Sequence, residues 1–220
     1  MYGTRKVFQG LAVQLATEGY AVLNMDYRLS TEKKFPANIE DAKAAIRWAR
    51  ANAKEYGLDK NRIYGIGASA GGHIIAMAGL SEKGEYEGNG GNKNYSSKLN
   101  AIIVMGSGLD QYKRILHVKN NYLKATDIYL GTFKENEKLY KEASPINHLN
   151  KGDIPVLIID GENDRPKTRG FRYDDFIEKM NTLKIPNEFE IMPKAGHADY
   201  KSEPFRTEYV NLFVKFLNKY

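Results

Sequence analysis

The run Arg62-Ile-Tyr-Gly-Ile-Gly-Ala-Ser-Ala-Gly-Gly-His73 decides the fold. Its first seven residues, Arg62 to Ala68 (RIYGIGA), read as a strand. Gly72 to Leu80 then read as a helix. Between them stands G-x-S-x-G, at Gly67-Ala68-Ser69-Ala70-Gly71. A serine at so tight a strand-to-helix turn is held in strained backbone geometry, and the residues two before and two after it must be small to avoid collision. The helix that follows points its N-terminus at the hydroxyl, where backbone N–H groups can stabilise a developing negative charge. The pentapeptide alone recurs by chance; the strand before it and the helix after it give it meaning.

Outward from this turn, short apolar runs alternate with helical periods, the pattern of βα units and a parallel sheet. Residues 4–19 read as a helix, and Tyr20 to Met25 (YAVLNM) as a strand rich in β formers. Ile39, Ala42, Ile46, Ala49 and Ala53 recur at three- and four-residue steps, with Pro36 ahead and Gly57 behind, which predicts an amphipathic helix. Residues 81–98 are rich in Gly, Asn and Ser and predict an exposed loop. Further strands are expected at 99–106, 155–160 and 188–192, with a helix carrying Tyr173, Phe176, Ile177, Met180 and Leu183 between the last two. Phe205, Tyr209, Leu212, Phe213, Phe216 and Leu217 form a closing helical stripe. With no repeat and no linker, residues 1–220 are expected as one α/β domain, a mostly parallel sheet flanked by helices on both faces, in which 107–143 form a lid-like excursion.

Composition narrows the function. The 220 residues are 42% hydrophobic and 27% charged, values of a globular chain. A net charge of +6 is spread among mixed Lys, Arg, Asp and Glu. No run of like charge forms a nucleic-acid arm, so no nucleic-acid partner is expected. No segment approaches the roughly 18 apolar residues of a membrane span. The N-terminus lacks the apolar stretch of a signal peptide, and the expected compartment is cytoplasmic. The absence of cysteine excludes thiol chemistry, and the scattered histidines and missing phosphate loop call for no metal and no cofactor.

A serine hydroxyl needs a base within hydrogen-bond reach. His197, in Lys194-Ala-Gly-His-Ala198, follows the last expected strand, where open parallel sheets place their sites. An acid must orient that imidazole and balance its charge. Asp164, in Asp160-Gly-Glu-Asn-Asp164, follows the preceding strand. Asp160 and Glu162 are neighbouring alternatives, but Asp160 falls within the strand. His73 is expected to be structural, His117 and His148 to serve surfaces or helix ends, and Asp26 and Asp110 to serve turns. Ser69, Asp164 and His197 thus form a candidate catalytic triad in the order Ser, Asp, His.

With these residues placed, the chain resembles α/β-hydrolase esterases of the hormone-sensitive-lipase-like and bacterial feruloyl/acetyl-esterase-like branches. The resemblance rests on residues 26–63 (with Tyr27-Arg28-Leu29, Phe35-Pro36-Ala37 and Asp41), 65–73 (GIGASAGGH), 144–149 (SPINHL), DGEND and KAGH. It implies cofactor-free hydrolysis of carboxylic esters, often of short acyl groups, with Ser69 as nucleophile, Asp164 as acid, His197 as base and Ala70 donating one oxyanion N–H. The partner is then a small-molecule ester, with homo-oligomers left open.

The resemblance breaks at one place. No H-G-G-G-like oxyanion loop occurs in the sequence, and residues 1–6 resemble the segment just downstream of it, so the fold is expected to be N-terminally shortened and Met1 internal to a longer sequence. Without the intervening strand, 20–25 should pair directly with 62–67 or bury unpaired backbone groups. The alternative function is a shortened, weakly active or non-catalytic ligand-binding relative.

Overall fold

The structure, a computed structural model, describes residues 3–117, 122–197 and 199–220, with backbone alone for 122 and 123. Among these residues, four parallel strands form one sheet in the order β1 (Tyr64–Ala68), β2 (Ala101–Met105), β3 (Val156–Gly161), β4 (Asn187–Met192). Ala68 stands opposite Met105, and Met105 opposite Ile159. The strand ends are thereby level, and the loops leaving them share one rim.

Because side chains alternate across a strand, each strand feeds two cores. Ile102, Val104, Val156 and Ile158 face one side, where α2 (Ala37–Ala51), α3 (Ala70–Leu80) and α7 (Arg169–Leu183) pack. Ala101, Ile103, Met105, Leu157 and Ile159 face the other, against α1 (Gln9–Thr17) and α8 (Phe205–Leu217). Helices therefore cover both faces, as expected. The glycines of β1 follow the same alternation: a Cβ on Gly65 would overlap Ile75 of α3, so the period-two small residues let that helix approach.

The Tyr-Arg-Leu and Pro-Ala-Asn segments meet through Arg28. Its Nε donates to Asp41 Oδ1 at 2.9 Å, its N–H to Asp41 Oδ2 at 2.8 Å, and its Nη2 to the Ala37 carbonyl at 3.0 Å. This clasp ties the chain before α2 to the first turns of that helix. The polar loop 81–98, which has no regular structure, is pinned from α2 by two buried cations. Arg47 pairs with Glu87, Lys43 donates to the Glu85 carbonyl at 2.7 Å, and Ser97 Oγ donates to Glu87 at 2.5 Å.

The expected strand at 20–25 does not form. It does not pair with β1, and Ala21, Val22 and Leu23 are exposed. Strand propensity is realised only where a neighbour supplies ladder hydrogen bonds. Among the described residues β1 pairs with β2 alone and is left as an outer strand. The excursion is helical: α4 (Gln111–His117), α5 (Tyr122–Leu130) and α6 (Phe133–Glu142) surround a small core of Tyr129, Leu130, Tyr140 and Ala143. Among the described residues no helix is long and apolar enough to cross a membrane.

Candidate active site

Ser69 sits where β1 ends and α3 begins, with φ 53° and ψ −118°. For a residue with a Cβ this left-handed φ is strained, and it turns the side chain out over the sheet rim. Neighbouring backbone enforces it: Ser69 N–H donates to the Met105 carbonyl at 2.8 Å, and His73 N–H to the Ser69 carbonyl at 3.2 Å. The expected need for small residues on both sides is met on one side only. A Cβ on Gly67 would overlap the Gly71 backbone, whereas one on Gly71 meets nothing within 4 Å. Ala70 opens α3, so its N–H is among those a helix leaves without an intrahelical acceptor.

Three side chains distant in sequence meet at this rim. His197 Nε2 lies 3.0 Å from Ser69 Oγ, and His197 Nδ1 lies 2.7 Å from Asp164 Oδ2. Ser69 and His197 are exposed, while the Asp164 side chain is 1% exposed. Burial opposes ionisation of Asp164, but hydrogen bonds and charge from His197 and Arg165 outweigh it and hold the carboxyl well below the usual carboxylate range.

The alternatives near Asp164 are engaged elsewhere. Asp160 is fully buried in β3 and accepts from Arg169 Nε at 2.8 Å, Arg172 Nη2 at 2.8 Å and Tyr173 Oη at 3.0 Å. Arg172 Nη2 also donates to the Asp164 carbonyl at 2.6 Å, so the Asp160 pair braces the loop that carries Asp164. Glu162 accepts from the Lys194 N–H at 2.7 Å, joining that loop to the one before His197. Asp110 caps the start of α4 through the Lys113 N–H at 2.7 Å, and Asp26 accepts from the Arg5 N–H at 2.6 Å.

His73 is structural in the sense expected and also part of a network the sequence does not display. Gln111 Nε2 donates to His73 Nδ1 at 3.2 Å; His73 Nε2 then donates to Tyr129 Oη at 3.3 Å, and Tyr129 donates to Asn38 Oδ1 at 3.0 Å. One directional chain thus links α4, α3, α5 and α2. Burial first, and the Arg114 charge second, push His73 down to about 3, keeping it neutral as this chain requires. His117 stacks on Phe171 at 5.3 Å between ring centres, and His148 Nε2 donates to the Glu142 carbonyl at 2.7 Å. Both lie at helix ends or surfaces.

A second residue missed in the sequence is Arg165. Its Nε donates to Asp164 Oδ1 at 2.7 Å, and its Nη2 lies 2.8 Å from His197 Nδ1. Periodicity gives no hint of it, because its left-handed backbone (φ 50°, ψ 55°) returns the side chain over its own neighbour.

A strained serine at the end of a parallel strand, with a carboxylate and an imidazole from later strand-end loops, defines the α/β-hydrolase fold. Solved esterases share it. A truncated carbohydrate esterase from gut microbiota superposes with a TM-score of 0.79 at 26% identity, over 94% of this chain and 78% of that one. The thermophilic esterase Est2 of Thermogutta terrifontis, solved with propionate bound, gives 0.76 at 25% identity, over 100% of this chain and 79% of that one. In sequence, Esterase LipC of Mycobacterium tuberculosis is 30% identical over 204 residues, which are 90% of this chain and 50% of LipC. The BD-FAE family model matches residues 1–167, and the chain belongs to the BD-FAE family. It spans about half the length of the first curated relatives it matches.

Proposed function

We propose that the chain is a serine carboxylic ester hydrolase working through an acyl-enzyme on Ser69. The observation that carries this is the relay of Ser69 Oγ, His197 and Asp164 at 3.0 and 2.7 Å on a strained elbow. Ser69 Oγ attacks the ester carbonyl carbon while His197 Nε2 takes its proton. Asp164, kept ionised, orients the ring and balances the imidazolium. The Ala70 N–H, at the positive end of α3, donates to the oxyanion. Collapse of the tetrahedral intermediate breaks the bond to the alcohol oxygen, which leaves with the proton from His197. Water, deprotonated by the same imidazole, then attacks the acyl carbon and releases the acid.

Short acyl groups of the acetyl type are the proposed substrates. The propionate held by the similar Est2 supports that size. Each oxyanion donor is worth about 10²–10³ in rate, and turnover of p-nitrophenyl acetate, slow or normal, is the expected outcome. The test is hydrolysis of p-nitrophenyl acetate together with covalent labelling by a fluorophosphonate. Both should occur in the wild type and vanish in Ser69→Ala. A folded wild-type protein that neither labels nor hydrolyses would instead be a ligand-binding relative.

A further inference from the structure

His197 is approached at one ring nitrogen from two sides: Asp164 Oδ2 lies 2.7 Å from Nδ1, and Arg165 Nη2 lies 2.8 Å from it. An imidazole nitrogen presents in its ring plane either a hydrogen or a lone pair. With a hydrogen on Nδ1, the ring donates to Asp164 and the arginine N–H faces a second donor. With a lone pair there, Arg165 donates to it and the carboxylate faces lone pair against lone pair. The two short contacts belong to two tautomers. Only the first leaves Nε2 free to accept the proton of Ser69, 3.0 Å away. The second places the hydrogen on Nε2, pointing at Ser69, and the ring cannot act as a base.

Arg165 is anchored mainly on Asp164. Its Nε is anchored on Asp164 Oδ1, its Nη2 reaches the Gly106 carbonyl at 3.5 Å, and its side chain is 34% exposed. A guanidinium is a permanent cation, so it opposes the imidazolium that must form as Ser69 gives up its proton.

We propose that Arg165 is a positioning residue that contests Nδ1 of His197 with Asp164 and thereby holds the base back. The proposal rests on the reading of Ser69, His197 and Asp164 given above. Among the described residues, the other titratable or charged groups placed around His197 by direct contacts are Asp164, the Ser69 hydroxyl, Arg172 behind Asp164 (3.6 Å from its Oδ2) and, through its bond from the neighbouring Gly196 N–H at 2.7 Å, Asp199.

The test is nitrogen NMR of histidine-labelled protein, in the wild type and in Arg165→Gln, Arg165→Met and Arg165→Lys, read beside the pH profile for p-nitrophenyl acetate. In the Gln and Met variants, Nδ1 should move toward the shift of a protonated nitrogen. The plateau kcat should rise several-fold. The Lys variant, which keeps the charge and a donor, should keep the wild-type tautomer. An unchanged tautomer in folded Gln and Met variants would overturn the proposal and leave Arg165 a brace for its loop. Because the NMR reading of the tautomer needs no turnover and can be repeated in Ser69→Ala, it stands apart from the labelling test: a failure to label sinks the esterase reading alone.

Discussion

A Cβ on Gly67 would lie inside the Gly71 carbonyl, yet a Cβ on Gly71 would meet nothing within 4 Å. The crowding at the elbow is one-sided, and it gives opposite expectations for two glycines of one motif. Gly67→Ala should cost about 1–3 kcal/mol or more, because rigid backbone cannot yield as a side chain would. Gly71→Ala should leave the stability measured in urea within about 0.5 kcal/mol of the wild type. Equal losses for both would contradict the geometry.

Asp164→Asn should keep the loop in place and remove the charge that selects the productive tautomer, cutting kcat by about 10⁴ if the relay works as proposed. The same variant has a stability signature. A carboxyl held below its ordinary range in the folded state stabilises it at pH values above the unfolded value, ~3.9, and loses that contribution as acid protonates it. The gap between wild type and variant in denaturant unfolding should therefore narrow as pH falls below about 4.

His73 titrates with the opposite chemistry and in another window. Folded, it stays neutral down to about 3; unfolded, it gains a proton near ~6.5. Between those values the unfolded chain binds the extra proton, so stability should fall by about 1.4 kcal/mol per pH unit on acidification below 6.5. Replacing His73 with Gln should flatten this slope between pH 6.5 and 5, even if the variant starts less stable. A slope that survives the substitution would place the titrating group elsewhere.

Glu87 joins two cations buried on α2, Lys43 at 2% and Arg47 at 1% side-chain exposure. Removing one partner of a buried ion pair costs about 3–5 kcal/mol, because the charge left behind has lost its solvent and its partner. Glu87→Ala should approach the lower end, since Glu87 is itself 31% exposed. It should also open loop 81–98 to protease, whereas Lys93→Ala in the same loop should do neither.

Much of this arrangement is readable in the sequence. The strand–turn–helix around Ser69 carries its own steric logic, and His197 and Asp164 stand in loops that a parallel sheet brings to one rim. Tyr20–Met25 misleads because propensity describes a residue's fit to a pleated surface, whereas a strand exists through its neighbour's amides. Gly71 misleads because a motif names positions without saying which of them touch. Arg165 is invisible for a different reason. Its position depends on one left-handed dihedral pair, which no hydrophobic period records. The Gln111–His73–Tyr129–Asn38 chain spans four helices and leaves no pattern along any one of them.

Among the described residues, Ser69 is mounted on the end of a strand that has one neighbour, whereas Asp164 leaves a strand flanked on both sides. The strand beneath the hydroxyl is held by one ladder and the strand beneath the carboxylate by two. Amide protons of Tyr64–Ala68 that find no carbonyl on the open side should exchange with deuterium well before those of Val156–Gly161. Any ligand or chain segment that quietens that margin would sharpen the aim of the nucleophile without touching it.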